Sequence, residues 1–530
     1  MPPSSTLATA FAAPPRRKLP IGIQTFSEII GEGHYYVDKS GFAIRLANEG
    51  KYYFLSRPRR FGKSLFLDTL REMFEGNQAL FKGLVAETGW DWSQTYPVIR
   101  ISLGDGVLKT RTELNQRIGE ILLDNQRRLG VVCTHQSLGG QLSELIAQAH
   151  QKTGQRAVVL IDEYDKPILD NIEHSAAALE MREGLKNLYS VLKGSDEHLK
   201  FVFLTGVSKF SKVSLFSGLN NLTDITLDER YSAICGYTDA DVDSVFAPEL
   251  PGLDREQIRQ WYNGYNWLGT PVYNPFGLLQ LFRTRQIRPH WFETGTPTFL
   301  IKLLQQRQQF TPDLSRIVAS EALLSTFDVD NIPVEALMFQ AGYLTIAEVW
   351  QVPGQMELTL KYPNLEVQSA LNNSLLQSLT GSLAGPGQHL SKLYKLLAKP
   401  DFAGLKALFH AFYASIANDW YRKNELSHFE GYYASIFYSY FAALGLDIQL
   451  EEATNVGRID MTVLFNGQVF LFEFKVVELN PAGKALQQIK DMRYFEKFMS
   501  RGEPVHLIGV EFSKASRNIV GFEVETLQIS

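Results

Sequence analysis

The eight residues Val469–Val476, V-F-L-F-E-F-K-V, restrict the chain's fold more than any other stretch. Side chains alternate across a strand, so Glu473 and Lys475 share one side while Phe472 and Phe474 share the other. Apolar neighbours on both sides mark a central strand, and charged groups placed there need one another or a metal ion. Upstream, Arg458-Ile459-Asp460 lies on a second strand, with twelve residues between Asp460 and Glu473. A hairpin between the two strands brings Asp460 beside Glu473. Two carboxylates at close range repel each other, and a divalent cation relieves the repulsion.

Around this pair, strands are expected at Ile448–Ala453, Arg458–Leu464, Val469–Val476 and Val505–Phe512. A helix over Pro481–Met499 separates the last two, and a helix over Glu430–Leu444 precedes the first. Glu430 is a third candidate ligand, with Glu425 as a rival on the same stretch. Mg²⁺ or Mn²⁺ held by Asp460 and Glu473 would polarise a scissile phosphate and acidify a bound water. Lys475 would position that water or stabilise developing charge. The helix over Pro481–Met499 carries Gln487 and Gln488, and Lys490, Arg493, Lys497 and Arg501 follow at near-helical spacing. Such a stripe could track a nucleic-acid backbone, although a solvated helix face is the plainer reading.

The first half reads differently. Apolar runs at Tyr52–Ser56, Val98–Leu103, Ala157–Ile161 and Phe201–Thr205 alternate with helical stretches, the pattern of parallel strands covered by helices. The first run leads through Arg57-Pro58-Arg59-Arg60-Phe61 to Gly62-Lys63-Ser64, the distal half of a phosphate-binding loop whose usual first glycine is replaced by Arg57. Backbone N–H groups at the helix start would surround phosphates. Lys63 would bridge phosphate oxygens and Ser64 would ligate Mg²⁺. Ala157–Ile161 runs into Asp162-Glu163, a carboxylate pair suited to hold Mg²⁺ (Asp162) and to orient the attacking water (Glu163). Thr205, ending the next strand, is placed to sense a γ-phosphate.

Composition adds bounds. At 530 residues the chain exceeds one core. A net charge of -5 gives no global pull toward nucleic acid, so any such contact needs a local basic surface. Two cysteines, Cys133 and Cys235, exclude a disulfide scaffold and fit a reducing compartment. No run approaches the roughly 20 apolar residues that cross a bilayer, so no membrane partner and a cytoplasmic location are expected.

The N-terminal half resembles the predicted AAA-type ATPase family that carries S-R-P-R-R-F-G-K-[ST] and I-D-E-Y-D, here Ser56–Ser64 and Ile161–Asp165. The likeness continues through Leu204–Phe210, Trp261–Tyr265, Tyr273–Phe276 and Phe292–Gly295. It implies ATP and Mg²⁺ as ligands, with Arg57, Arg60, Phe61, Gly62, Lys63, Ser64, Asp162 and Thr205 about the nucleotide, and a homo-oligomer formed through the ATPase domain. The last hundred or so residues resemble the PD-(D/E)XK nuclease domain that accompanies this ATPase, on Gly457, Asp460, Glu473, Lys475 and Gln488. That resemblance implies a DNA partner, and related architectures point to mobile elements or defence against foreign DNA. The aromatic block Trp261–Trp267 offers no chemistry of its own and reads as core packing.

The expected fold is α/β. A disordered tail (1–18) leads into a P-loop domain with a parallel sheet (19–240), a mainly helical region (241–380) and a restriction-endonuclease-like domain with a helical lead-in (381–530). Thr380–Gly387 is the expected hinge. An ATP-regulated nuclease is the favoured function. A nucleotide-switched binding module and a signalling receptor that oligomerises through its ATPase are the alternatives.

Overall fold

The computed structural model describes residues 15–209, 221–292, 300–301, 303–304, 314, 316–324, 333–380, 385–415, 430–453 and 458–528, with side chains undescribed at 352, 378–380, 385–388, 415, 430–432, 451–453 and 458. It divides into two compact units: Met1–Trp291 with Ser320–Glu357, and Phe292–Ala319 with Leu358–Ser530. The stretch 241–380, expected as one helical region, is therefore shared between them.

The first unit is built on a five-stranded, all-parallel sheet in the order β2-β3-β4-β1-β5. Its strands are β1 (Tyr52–Ser56), β2 (Val98–Ser102), β3 (Ala157–Asp162), β4 (Leu199–Gly206) and β5 (Thr223–Asp224). Every residue of β1 is buried, as are the first five of β3, because helices cover both faces. Among those helices are Lys63–Phe74, which follows β1 directly, Arg111–Leu129 and Leu138–Thr153. The strand β4 separates β1 from β3, so the phosphate-loop strand and the carboxylate strand are next-nearest neighbours. The expected disordered tail needs correcting at its end. Arg16 donates to Pro248 O at 3.2 Å and Lys18 pairs with Glu32 at 2.8 Å, both seated on the folded unit. Residues 1–14 lie outside those described.

The second unit holds another five-stranded sheet, order β10-β9-β8-β7-β6. Its strands are β6 (Asp447–Ala453), β7 (Arg458–Phe465), β8 (Gln468–Val477), β9 (Val505–Ser513) and β10 (Asn518–Leu527). The β7–β8 hairpin turns on Asn466-Gly467, both left-handed (φ 53° and 70°), the backbone that a two-residue turn requires. β8 then pairs with β9 in parallel, and the crossover between them carries the helix Lys484–Asp491. Phe472 and Phe474 pack on Phe437 of the helix Glu430–Ala443 at 5.5 and 5.2 Å between ring centroids. Val469 and Leu471 face the other way, against Ile489 and Phe498. Alternation puts Glu473 and Lys475 on that second face. Of the expected hinge Thr380–Gly387, Thr380 closes the helix Leu365–Thr380, Gly385, Pro386 and Gly387 open the helix Gly385–Ala398, and 381–384 lie outside the described residues.

The expected helix Pro481–Met499 is corrected: it stops at Asp491, Arg493 turns left-handed (φ 51°), and a 3-10 segment, Tyr494–Arg501, follows. Gly509 of β9 lies opposite Glu473 in the register, and a methyl group there would overlap the Leu486 backbone. Only a glycine lets the helix approach the sheet this closely. Gly509→Ala is expected to destabilise the second unit by about 1–3 kcal/mol and to speed amide exchange in Lys484–Asp491. Hydrogen-exchange mass spectrometry with a denaturant titration of the full chain reads both.

Candidate functional site

In the first unit the loop between β1 and its helix is held by its own side chains. Gly62 caps the helix with φ 93°, a conformation that strains any residue with a Cβ. Arg60 also adopts a left-handed φ, 66°, with its side chain exposed and its guanidinium 4.4 Å over the Phe276 ring. Lys63 is buried and donates to the carbonyls of Arg57 and Pro58, each at 2.9 Å. Burial lowers its pKa, and the charge of Asp162 is the main influence raising it back, which places that carboxylate within electrostatic reach of the ammonium. Ser64 sits half-buried in the first helical turn.

Arg57 requires a correction. Expected at the nucleotide, it is fully buried, and its guanidinium donates to the carbonyls of Ser56 (2.8 Å), Thr226 (3.0 Å) and Tyr231 (3.1 Å) while lying 4.1 Å over Trp267. Three of its N–H groups are thus engaged inside the unit rather than presented to a phosphate, and its buried Nε has no hydrogen-bond partner among the described residues. Phe61 is likewise buried, edge-on to Tyr265 and Trp267.

The carboxylate side of this site grows from the end of β3. The Glu163 amide donates to Asp162 Oδ1 at 3.0 Å, and Glu163 itself is left-handed (φ 51°). Burial pushes the Glu163 carboxyl above its ordinary pKa, and the neighbouring Asp162 charge pushes it the same way. Two further residues that had been given no role tie this turn to the end of β4. Asp165, buried, accepts from the Val207 and Ser208 amides at 3.1 and 2.6 Å. Tyr164 donates its hydroxyl to Ser208 O at 2.9 Å. Both lie in the I-D-E-Y-D run, so the signal was in the sequence, but an acceptor for loop amides leaves no mark in spacing. Thr205, in register with Leu55 of β1, has a buried hydroxyl with no hydrogen-bond partner among the described residues.

In the second unit Glu473 and Lys475 meet as expected: Lys475 Nζ lies 3.3 Å from Glu473 Oε1, which also accepts from Gln488 Nε2. The Glu473 side chain is 1% exposed and that of Lys475 28%, so the ammonium reaches toward solvent from a buried carboxylate. The β7–β8 register runs as far as Met461↔Phe472, and just beyond it the Asp460 side chain accepts the Phe474 amide at 2.9 Å. Asp460 is therefore brought to the residue that links Glu473 and Lys475. On the adjoining strand Glu511 accepts from the amides of Ala482, Gly483 and Lys484, at 2.5, 3.1 and 2.7 Å, which fixes the start of the Gln488 helix.

Hard carboxylate oxygens at Asp460 and Glu473 suit Mg²⁺ or Mn²⁺. Among the described residues no group of three His, Cys, Asp or Glu side chains converges. Glu430 opens its helix with an undescribed side chain, and Glu425 and Gly457 lie outside the described residues. The expected basic stripe is corrected by the broken helix, which takes Lys490, Arg493 and Lys497 off a single face. Lys490 pairs with Glu525 (2.7 Å), Arg493 with Glu496 (2.9 Å) and Arg501 with Glu503 (2.7 Å), so local carboxylates offset these charges. Lys497 lies in the 3-10 segment.

Among the described residues no helix is long and apolar enough to cross a membrane. Residues 20–216 match the model of a family described as predicted AAA-ATPase, and residues 428–522 match that of the PD-(D/E)XK nuclease superfamily. The chain is also 61% identical over 513 residues to a protein of Azotobacter chroococcum mcd 1 described as an uncharacterized protein in the vnfD 5' region, covering 97% of this chain and 99% of that one. The chain belongs to the AAA-ATPase-like family and carries a PD-(D/E)XK nuclease superfamily domain at its C-terminal end.

Proposed function

We propose that this protein is an ATP-binding, Mg²⁺-dependent nuclease that hydrolyses phosphodiester bonds in DNA, with cleavage regulated by nucleotide. We further infer a cytoplasmic location, a homo-oligomer formed through the ATPase unit, and a role in defence or in mobile-element biology. The observation that carries the catalytic reading is the meeting of Glu473, Lys475 and Gln488 on one buried strand face, with the Asp460 carboxylate at the Phe474 amide. Asp460 and Glu473 would hold a divalent cation, whose chemistry there is to polarise the phosphate and lower the pKa of a bound water. Lys475, the partly exposed member, would hold that water in line or stabilise charge on the phosphate oxygens. Gln488 would orient the Glu473 carboxylate.

At the first site, Gly62, Lys63 and Ser64 would take the triphosphate, with Asp162 near the metal and Thr205 offering its buried hydroxyl to the terminal phosphate. Glu163, whose carboxyl is raised by burial, is suited to accept a proton from the attacking water. The site's own hydrogen bonds support a second reading, a nucleotide-switched binder of nucleic acid. Glu473 Oε1 already serves Lys475 and Gln488, and a third described ligand is lacking.

Incubation of the full chain with single- and double-stranded DNA and RNA, with Mg²⁺ or Mn²⁺ and with or without ATP, separates these readings. Cleavage of DNA is expected, abolished by EDTA and reduced about 10²-fold or more in Lys475→Ala and Asp460→Asn. Intact substrate with the folded wild type would refute the nuclease, whereas DNA retention unaffected by Glu473→Gln would favour the binder.

Glu163→Gln should lower ATP turnover by about 10²-fold or more. It should also raise the thermal midpoint at neutral pH. A carboxyl whose folded pKa stands above its ordinary 4.5 contributes stability at low pH, and that contribution is lost as pH rises through the folded value. The neutral amide removes this dependence. A midpoint equal to the wild type's at both acidic and neutral pH would contradict it.

A further inference from the structure

The aromatic stretch from Trp261 to Phe276 has no place in the proposed chemistry, yet it bears directly on the loop that takes the phosphates. Arg57 lies 4.1 Å over Trp267. Phe61 is edge-on to Tyr265 at 4.7 Å and to Trp267 at 5.4 Å. Arg60 lies 4.4 Å over Phe276. Trp291 Nε1 donates to Arg59 O at 3.0 Å, and the Gly236 amide donates to Phe61 O at 3.1 Å. The three consecutive residues Arg59, Arg60 and Phe61, together with Arg57, are thereby held from outside the loop through a side chain, a carbonyl or both.

Loops of this kind ordinarily owe their curvature to glycines, which adopt left-handed backbone freely and let amides turn inward. Here only Gly62 remains, and Arg60, an L-residue with a Cβ, holds a left-handed φ of 66°. A strained conformation of that sort persists only where surrounding contacts impose it. Simple core packing would not require a buried guanidinium to fan across three main-chain carbonyls of β1 and the 226–231 segment.

We propose that the aromatic block, acting through Arg57 and Phe61, is the positioning device of the phosphate loop, imposing from outside the amide geometry that the missing glycine would have allowed. Arg57 and Trp267 are positioning residues: neither touches the nucleotide, and both set how the loop receives it. This inference rests on the reading of the loop as a nucleotide site.

The test is calorimetric titration of the full chain with ATP and with AMP. Trp267→Leu stays apolar but removes the ring face, and Trp267→Phe restores a ring. With melting curves close to the wild type, Trp267→Leu should bind ATP at least tenfold more weakly and lose most of the preference for ATP over AMP. Trp267→Phe should recover both. A general loss of structure would not spare AMP while penalising ATP. If Trp267→Leu does not fold, Arg57→Lys, which keeps the charge but cannot reach three carbonyls at once, carries the same expectation. ATP binding by Trp267→Leu or Arg57→Lys equal to that of the wild type overturns the positioning role alone. A wild type that binds no ATP overturns the nucleotide site and this inference with it.

Discussion

Taking an ion out of water is costly unless oxygen or nitrogen partners replace the lost hydration. Each unit of this protein is organised around such a replacement. Lys63, withdrawn into the start of a helix, is met by two loop carbonyls and faces the charge of Asp162. Glu473, withdrawn into a central strand, is met by Lys475 and Gln488. These arrangements dictate much around them. The Gln488 helix must lie close on the sheet, which explains Gly509, and its first turn must be anchored, which explains Glu511.

The same economy governs the end of β3. A turn that exposes two adjacent carboxylates would be free to splay, and Asp165 and Tyr164 prevent this by fastening it to the end of β4. Three strand ends, of β1, β3 and β4, are thereby kept in one register at the side where Lys63, Asp162 and Thr205 stand. Rigid placement of this kind is what a site needs when catalysis depends on positioning more than on covalent chemistry.

Much of this was legible in the residues. Apolar or alternating runs located eight of the ten strands of the two five-stranded sheets to within a few residues, because a strand with a buried face leaves such a pattern. Three further strands, Ile317–Ser320, Thr345–Val352 and Gln355–Lys361, lie in the stretch expected to be mainly helical. The two missed in the five-stranded sheets show why some strands escape. Thr223–Asp224 is only two residues long, and Asn518–Leu527 is an outer strand with Glu523 and Glu525 along it, too polar to stand out. The break at Met492–Arg493 was hidden because neither glycine nor proline marks it. The inward turn of Arg57 was hidden because its acceptors, Thr226 and Tyr231, are distant in sequence. Pairing of Glu473 with Lys475 followed from alternation alone, whereas the Gln488 contact needed the helix to be laid on the sheet.

The division of the chain has a practical corollary. The described residues among 320–357 fold with the first unit, although the described ones among 292–319, which precede them, fold with the second. No single cut can therefore release two complete units. A fragment ending near residue 291 would lack part of the first, and one beginning near 358 would lack part of the second. Dissection by simple truncation would report on damaged halves, and point substitutions in the intact polypeptide are the sounder way to assign work to either one.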